Sequence, residues 1–168
     1  MAIPLRHASP AQIAAAFRTF FVSSSITGKR NLLQSDRAAK LFINVLYQYR
    51  SQKRFLLHEF VVMPDHFHVL ITIGPEVSVE RAVQYIKGGF AFRAGRELAF
   101  RSPVWQRGFS EVRIYDREAF EQVQRYITEN PVKRRLVQKA EDFPYSSAYP
   151  GFDLDEPPQG LKPVAISA

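Results

Sequence analysis

The chain of 168 residues contains no cysteine. That excludes a disulfide framework, a thiolate metal site and a cysteine nucleophile, so any metal must rest on nitrogen and oxygen ligands. Long apolar runs are missing too. No stretch approaches the roughly 18 apolar residues that a membrane span needs. The N-terminal Ile13-Ala14-Ala15-Ala16-Phe17 is too short for the apolar segment of a signal peptide. A cytoplasmic protein is the expectation. Acidic residues are scarce beside basic ones, 16 Asp and Glu against 23 Lys and Arg, a formal charge of +7. That balance favours polyanions, nucleic acid above all, because basic surface releases the counterions condensed on them. The alternative is a soluble basic protein with no such partner.

Aromatic residues are plentiful. The 14 phenylalanines and 7 tyrosines can fill a core or stack on bases. The length suits one domain, expected over residues 1–148 with a short helix in the 1–17 extension. There Ser9 is a cap, Pro10 the first helical residue and Gln12 the closing member of a capping box. Residues 149–168, rich in proline and glycine, are expected to form a poorly ordered tail.

Between these ends the pattern alternates. Residues 19–27 read as a strand, followed by the basic turn Gly28-Lys29-Arg30-Asn31. A helix over 36–51, capped by Ser35 or Asp36, repeats apolar residues at Ala38, Leu41, Phe42, Val45, Leu46 and Tyr49. Residues 55–62 and 66–73 form two strands joined by a tight corner, hence an antiparallel hairpin. Ser78 caps a helix over 79–98, which Gly88-Gly89 should bend or loosen. A fourth strand over 109–115 turns Val112 and Ile114 one way and Phe109, Glu111, Arg113 and Tyr115 the other. A helix over 117–129 should break at Asn130-Pro131 and resume over 132–140. The order β-α-β-β-α-β, with a further C-terminal helix, predicts an α+β, ferredoxin-like antiparallel sheet. Helices would cover one face and leave the other free for ligands.

Two places carry chemistry. On the third strand His66 and His68 share a face, while Phe67, Val69, Ile71 and Ile73 share the core face. Two imidazoles at i and i+2 stand about 6.5 Å apart at the backbone, close enough to converge on one cation. On the last helix Tyr126 and Asn130 lie four apart on one face, with Gln122 extending the row, so a phenol and a carboxamide can reach one point. Each has a plainer reading: surface histidines, a tyrosine at the edge of the core, an asparagine ahead of proline. Glu111 is either an auxiliary base on the free face or an ion-pair partner. His58 is expected to be a core histidine.

The run Met63-Pro64-Asp65-His66-Phe67-His68-Val69-Leu70, followed downstream by Tyr126-Ile127-Thr128-Glu129-Asn130-Pro131-Val132-Lys133, resembles the single-tyrosine HUH (IS200-like) transposases. The segment Trp105-Gln106-Arg107 and the residues after Pro131 are closest to the branch called REP-associated tyrosine transposases. The resemblance spans about residues 18–148. It implies Tyr126 as nucleophile, His66 and His68 as metal ligands, and Asn130 as third ligand where many members have glutamine. Two imidazoles and an amide oxygen suit Mg²⁺ or Mn²⁺. It further implies cleavage and rejoining of single-stranded DNA beside a hairpin through a 5′-phosphotyrosine. Lys87, Arg93, Arg113, Lys133, Arg134 and Arg135 are candidates for gripping that DNA, the plain reading of each being a solvated basic face. The competing functions are a non-catalytic single-stranded nucleic-acid-binding module and a phosphodiesterase in which water attacks. No swapping element stands out in the tail, so a monomer is expected, with a homodimer as the alternative.

Overall fold

The computed structural model describes residues 16–163, so the helix expected near the N-terminus lies almost wholly outside the described residues. Strand β1 (Arg18–Ser25) leads through a 3₁₀ turn (Thr27–Lys29) to helix α1 (Asp36–Ser51). Strands β2 (Leu56–Val62) and β3 (His66–Ile73) follow, then helix α2 (Val79–Glu97), strand β4 (Ser110–Ile114), helix α3 (Arg117–Lys133) and a 3₁₀ turn (Ala140–Asp142). The sheet runs β2-β3-β1-β4 with every neighbouring pair antiparallel, the ferredoxin-like arrangement expected. Each helix starts where a short polar side chain satisfies an otherwise unpaired N–H. Ser35 accepts from Ala38 (3.2 Å), Ser78 from Arg81 (3.1 Å) and Asp116 from Ala119 (2.7 Å).

The larger core lies between the sheet and the α1–α2 layer. Phe42 meets Phe67, Phe90 and Trp105 there, with ring centroids 4.8–6.0 Å apart. Gly88-Gly89 does not interrupt α2. A Cβ at Gly89 would lie 2.8 Å from the ring of Tyr49, so the glycine admits the α1 side chain against the α2 backbone. That contact offsets a helix-propensity cost of about 1 kcal/mol.

The opposite face is not left free. Helix α3 lies across it, packing its own Phe120 and Ile127 against Val61, Met63, Leu70 and Ile114, and leaves the end that carries the histidines open. Nor does α3 break at Asn130-Pro131: it runs through the proline to Lys133. A proline in the last turn removes one N–H where the ladder is about to end. The helix expected over 132–140 is likewise absent. Arg135 adopts φ 59°, its N–H donates to Val132 O (3.0 Å) and that of Leu136 to Pro131 O (2.9 Å), a Schellman closure built without glycine.

The tail expected to be poorly ordered is docked through the described residues. Phe152 stacks on Tyr47 at 6.0 Å and meets Phe60 edge-on at 5.0 Å. Asp155 takes both guanidinium arms of Arg50 (3.0 and 2.9 Å) and the Leu57 N–H (2.8 Å). Lys162 pairs beside Asp116 at the start of α3. Composition predicts disorder when apolar burial cannot offset chain entropy; here Phe152, Leu154 and Leu161 pack on the cores and a half-buried carboxylate anchors the segment. Among the described residues no helix is long and apolar enough to cross a membrane.

Candidate active site

β3 places Phe67, Val69, Ile71 and Ile73 in the larger core and turns His66 and His68 to the other side. Their ring centroids lie 4.8 Å apart. Both rings are fixed through Nδ1. His66 Nδ1–H donates to the Asp65 carboxylate at 2.6 Å, and His68 Nδ1 shares a hydrogen bond of 2.5 Å with the hydroxyl of Ser23. Ser23 is there because β1 pairs with β3 in a register that sets it opposite His68. Neither Nε2 has a hydrogen-bond partner among the described residues, so both are uncommitted, and the Asp65 carboxylate holds the His66 proton on Nδ1 as partners of metal-ligating histidines do. Burial, with His66 and Arg134 nearby, pushes the His68 pKa down to about 3, so this imidazole is neutral across the physiological range.

α3 brings the tyrosine to the same point. The Tyr126 ring lies 5.4 Å from His68 and 5.6 Å from Phe21, with the Lys133 ammonium 5.8 Å from its centroid. It is 43% exposed and its hydroxyl has no partner among the described residues. One turn along α3, Asn130 is only 5% exposed, and its Oδ1 is buried without any hydrogen-bond partner. An amide oxygen buried without a partner one turn along the helix from Tyr126, together with two imidazoles whose Nε2 atoms are uncommitted, is the kind of donor set that a hard divalent cation takes. The residues present therefore fit Mg²⁺ or Mn²⁺.

His66, His68 and Tyr126 line an open cleft of about 690 Å³ whose other walls are Ser23–Ser25, Lys29, Asp65 and the segment Gln106–Ser110, with Arg134 also in the lining; Asn130 is not among the lining residues. Among the described residues, Lys29, Arg107 and Arg134 have no ion-pair partner. Of the six basic candidates, Arg134 lines the cleft, Lys133 lies against Tyr126, and Arg135 sits in the turn just beyond. The other three are placed elsewhere. The Lys87 ammonium donates to Gln106 O (3.1 Å) and Gly108 O (2.7 Å). Arg93 pairs with Glu97 (2.8 Å) and donates to Asn44 Oδ1 (2.7 Å) in the helix layer. Arg113 lies opposite Phe20, over that ring and Tyr115, on the face away from the histidines. Glu111 shares that face because it lies opposite Val22, so it cannot serve as an auxiliary base. Gln122 is exposed and lies outside the cleft lining. His58 is a core histidine, 2% exposed.

Sequence reasoning missed Ser23, Asp65, Lys29 and Arg107. Asp65 was legible as the neighbour of His66; Ser23 becomes visible only once the β1–β3 register is known.

A family model described as "Transposase IS200 like" matches residues 24–130 of the chain, a span holding His66, His68, Tyr126 and Asn130. A protein named "Putative REP-associated tyrosine transposase" from Haemophilus influenzae is 28% identical over 134 residues, covering 69% of this chain and 76% of that protein. The "REP-associated tyrosine transposase" of Escherichia coli K12 is 24% identical over 131 residues, covering 77% of this chain and 75% of that protein. Among solved structures, a REP-associated tyrosine transposase bound to a REP hairpin superposes with a TM-score of 0.68 at 21% identity, over 99% of this chain and 100% of that one.

Proposed function

The chain belongs to the IS200-like transposase family, and on that premise we propose that it cuts and rejoins single-stranded DNA beside a hairpin, with Tyr126 as the nucleophile. The observation that carries this reading is the contact of the half-exposed Tyr126 ring with His68, 5.4 Å between centroids, in a cleft that also holds His66. A pure binding module has no use for a phenol held against two imidazoles with uncommitted Nε2 atoms. The DNA partner is inferred from the family, from the charge of +7 and from the unpaired cations in the cleft.

In the proposed reaction the Tyr126 oxygen attacks the scissile phosphorus. An O–P bond to tyrosine forms, the P–O3′ bond breaks, and the phenolic proton is balanced by the proton that the departing 3′ oxygen takes up as a hydroxyl. The 5′-phosphate remains on Tyr126 as an ester of similar energy to the bond broken, so a second 3′-hydroxyl can reverse the step without ATP. His66, His68 and Asn130 would hold Mg²⁺ or Mn²⁺, which supplies polarisation of the phosphate and relief of the charge developing on its oxygens. Asp65 keeps the His66 proton on Nδ1 and so leaves its Nε2 free for the metal, while Ser23 orients the His68 ring through Nδ1. Lys29, Arg107 and Arg134 draw the backbone into the cleft, and Phe21 and His68 fix the plane of the attacking ring.

The test is incubation with a single-stranded hairpin oligonucleotide and Mn²⁺, followed by denaturing electrophoresis. A protein–DNA adduct that survives denaturation and is lost in Tyr126→Phe is expected. Cleavage without an adduct would assign attack to water, and binding without cleavage would reduce the protein to a recognition module.

A further inference from the structure

Helix α3 is seated on the sheet by apolar side chains, Phe120 and Ile127 above all. Apolar contact is non-directional, so it resists lifting of the helix more than rolling about its axis. One polar contact does have a direction. Gln124 Nε2 donates to a carboxylate oxygen of Glu59 on β2 (3.2 Å), among the described residues the sole hydrogen bond from an α3 side chain to the sheet. The Ser147 hydroxyl donates to the other oxygen of that carboxylate and accepts from the Phe60 N–H (3.0 Å).

Ser147 is itself fixed, because its segment pairs along the outer edge of β2. Tyr145 O accepts from the Val62 N–H (2.8 Å), and the Ser147 N–H donates to Phe60 O (2.9 Å). Glu59 lies opposite Leu70, just past a register shift between Leu57 and Glu59; irregularities of this kind re-aim side chains. The carboxylate is half-buried, and burial raises its pKa against the two hydrogen bonds that lower it. A leucine would cost less to bury. What the carboxylate adds is geometry, since a satisfied polar network specifies one arrangement.

Gln124 and Tyr126 are two residues apart, about 200° around the helix. They descend on opposite flanks of the apolar stripe, Gln124 to β2 and Tyr126 to His68 on β3 and Phe21 on β1. A roll of α3 that slackens one flank therefore displaces the ring on the other. At a radius of about 5–6 Å, that of a helix with its side chains, a roll of about 10° moves a side-chain tip by about 1 Å. A misplacement of that size costs up to about 100-fold in rate. Resting on the reading of Tyr126 as nucleophile, we propose that Glu59, through Gln124, is the positioning residue that sets the roll of α3 and so aims the Tyr126 hydroxyl into the cleft.

Two readouts on the full chain test this. One is the single-turnover rate of adduct formation at saturating hairpin oligonucleotide with Mn²⁺, set beside DNA affinity from fluorescence anisotropy without metal. The other needs no chemistry: fluorine NMR of fluorotyrosine-labelled protein, in which the Tyr126 resonance is the one missing from Tyr126→Phe. In Glu59→Leu the rate falls about 10- to 100-fold, while DNA affinity stays within about threefold of wild type. The Tyr126 resonance moves, and that of Tyr85 in α2 does not. Glu59→Gln restores the rate to within about threefold of wild type. Its amide oxygen still accepts from Gln124, and its amide nitrogen donates to Ser147, whose hydroxyl turns to Phe60 O (3.1 Å). Gln124→Leu is slowed like Glu59→Leu, and the double variant is no slower than either, as a shared contact requires. A wild-type rate in Glu59→Leu, additive losses, no rescue by Glu59→Gln, or an unmoved Tyr126 resonance in a slowed variant overturns the proposal. If Glu59→Leu does not fold, Gln124→Leu carries both readouts, and wild-type behaviour there overturns it as well. If wild type forms no adduct, the transposase chemistry falls and the resonance judges the positioning by itself: a shift confined to Tyr126 upholds it, and an unmoved signal ends it.

Discussion

Asn130 presents the sharpest energetic problem at the level of single residues. Its amide oxygen is buried with no partner, a situation that costs about 1–3 kcal/mol in a folded protein. The proposed cation removes that cost. Calorimetry with and without Mn²⁺ separates this account from accidental burial. Wild type is expected to gain about 2.7 kcal/mol at a hundredfold excess over Kd. Asn130→Leu, close in shape but without the orphan acceptor, should melt at or above the metal-free wild type. Its Mn²⁺ affinity should fall about 10- to 100-fold, the range seen when a site loses a supporting group. A Leu variant that kept the full Mn²⁺ shift would remove Asn130 from the ligand set.

At the level of elements, what the sequence disclosed depended on how local the cause was. The α1 boundaries follow from Ser35 and an apolar stripe within one helix, and the His66–His68 pairing from alternation within one strand. The Tyr126–Asn130 row needed only helical spacing. Elsewhere the deciding partner is remote in the chain. Gly89 looks like a helix breaker until Tyr49 is packed on it, Lys87 like a surface cation until the Gln106 and Gly108 carbonyls reach it, and the tail like solvent-borne chain until Phe152 meets Tyr47. The turn ending α3 yields a prediction. Arg135 sits at φ 59° in a closure normally given to glycine, a strain of roughly 1–2 kcal/mol. Arg135→Gly should therefore stabilise the fold by up to about 1 kcal/mol after the glycine's extra unfolded entropy, read as a raised thermal midpoint, and any loss of DNA affinity in that variant reports the side chain alone. β2 supplies a second prediction. His58 donates from Nδ1 to Asp155 O (2.9 Å) and accepts at Nε2 from the Thr72 hydroxyl (2.7 Å), and burial lowers its pKa despite the neighbouring Asp155. The unfolded chain takes up a proton below about pH 6.5 that the fold excludes, so the contribution is full above that value and declines as pH falls. His68 acts in the same sense, and Glu59, raised by burial, in the opposite one. Unfolding titrations between pH 7 and 5.5 should show a shallower acid loss in His58→Gln than in wild type; identical slopes would refute the assignment.

The charge of the whole molecule, +7, does not say where a polyanion lies, but the convergence of three cations on one cleft points to a place. Arg93 is committed to Glu97 and Lys87 to backbone carbonyls, whereas Lys29, Arg107 and Arg134 approach one cleft from the turn after β1, the loop before β4 and the end of α3. If these three neutralise phosphates of a single strand, each releases about 0.7 counterion, and the plot of log affinity against log salt has a slope near −2 from this cleft alone. Removing any one by substitution to alanine should weaken binding at low salt and flatten the slope by about 0.7. Lys87→Met and Arg93→Ala should leave the slope unchanged, because neither charge meets the strand. The comparison is made by fluorescence anisotropy on a labelled hairpin with a single-stranded flank, without divalent metal so that no strand is cut. A slope that falls equally for Arg93→Ala and Arg134→Ala would mean that the DNA is held by the diffuse charge of the surface, and the cleft would lose its standing as the place where the strand is bound.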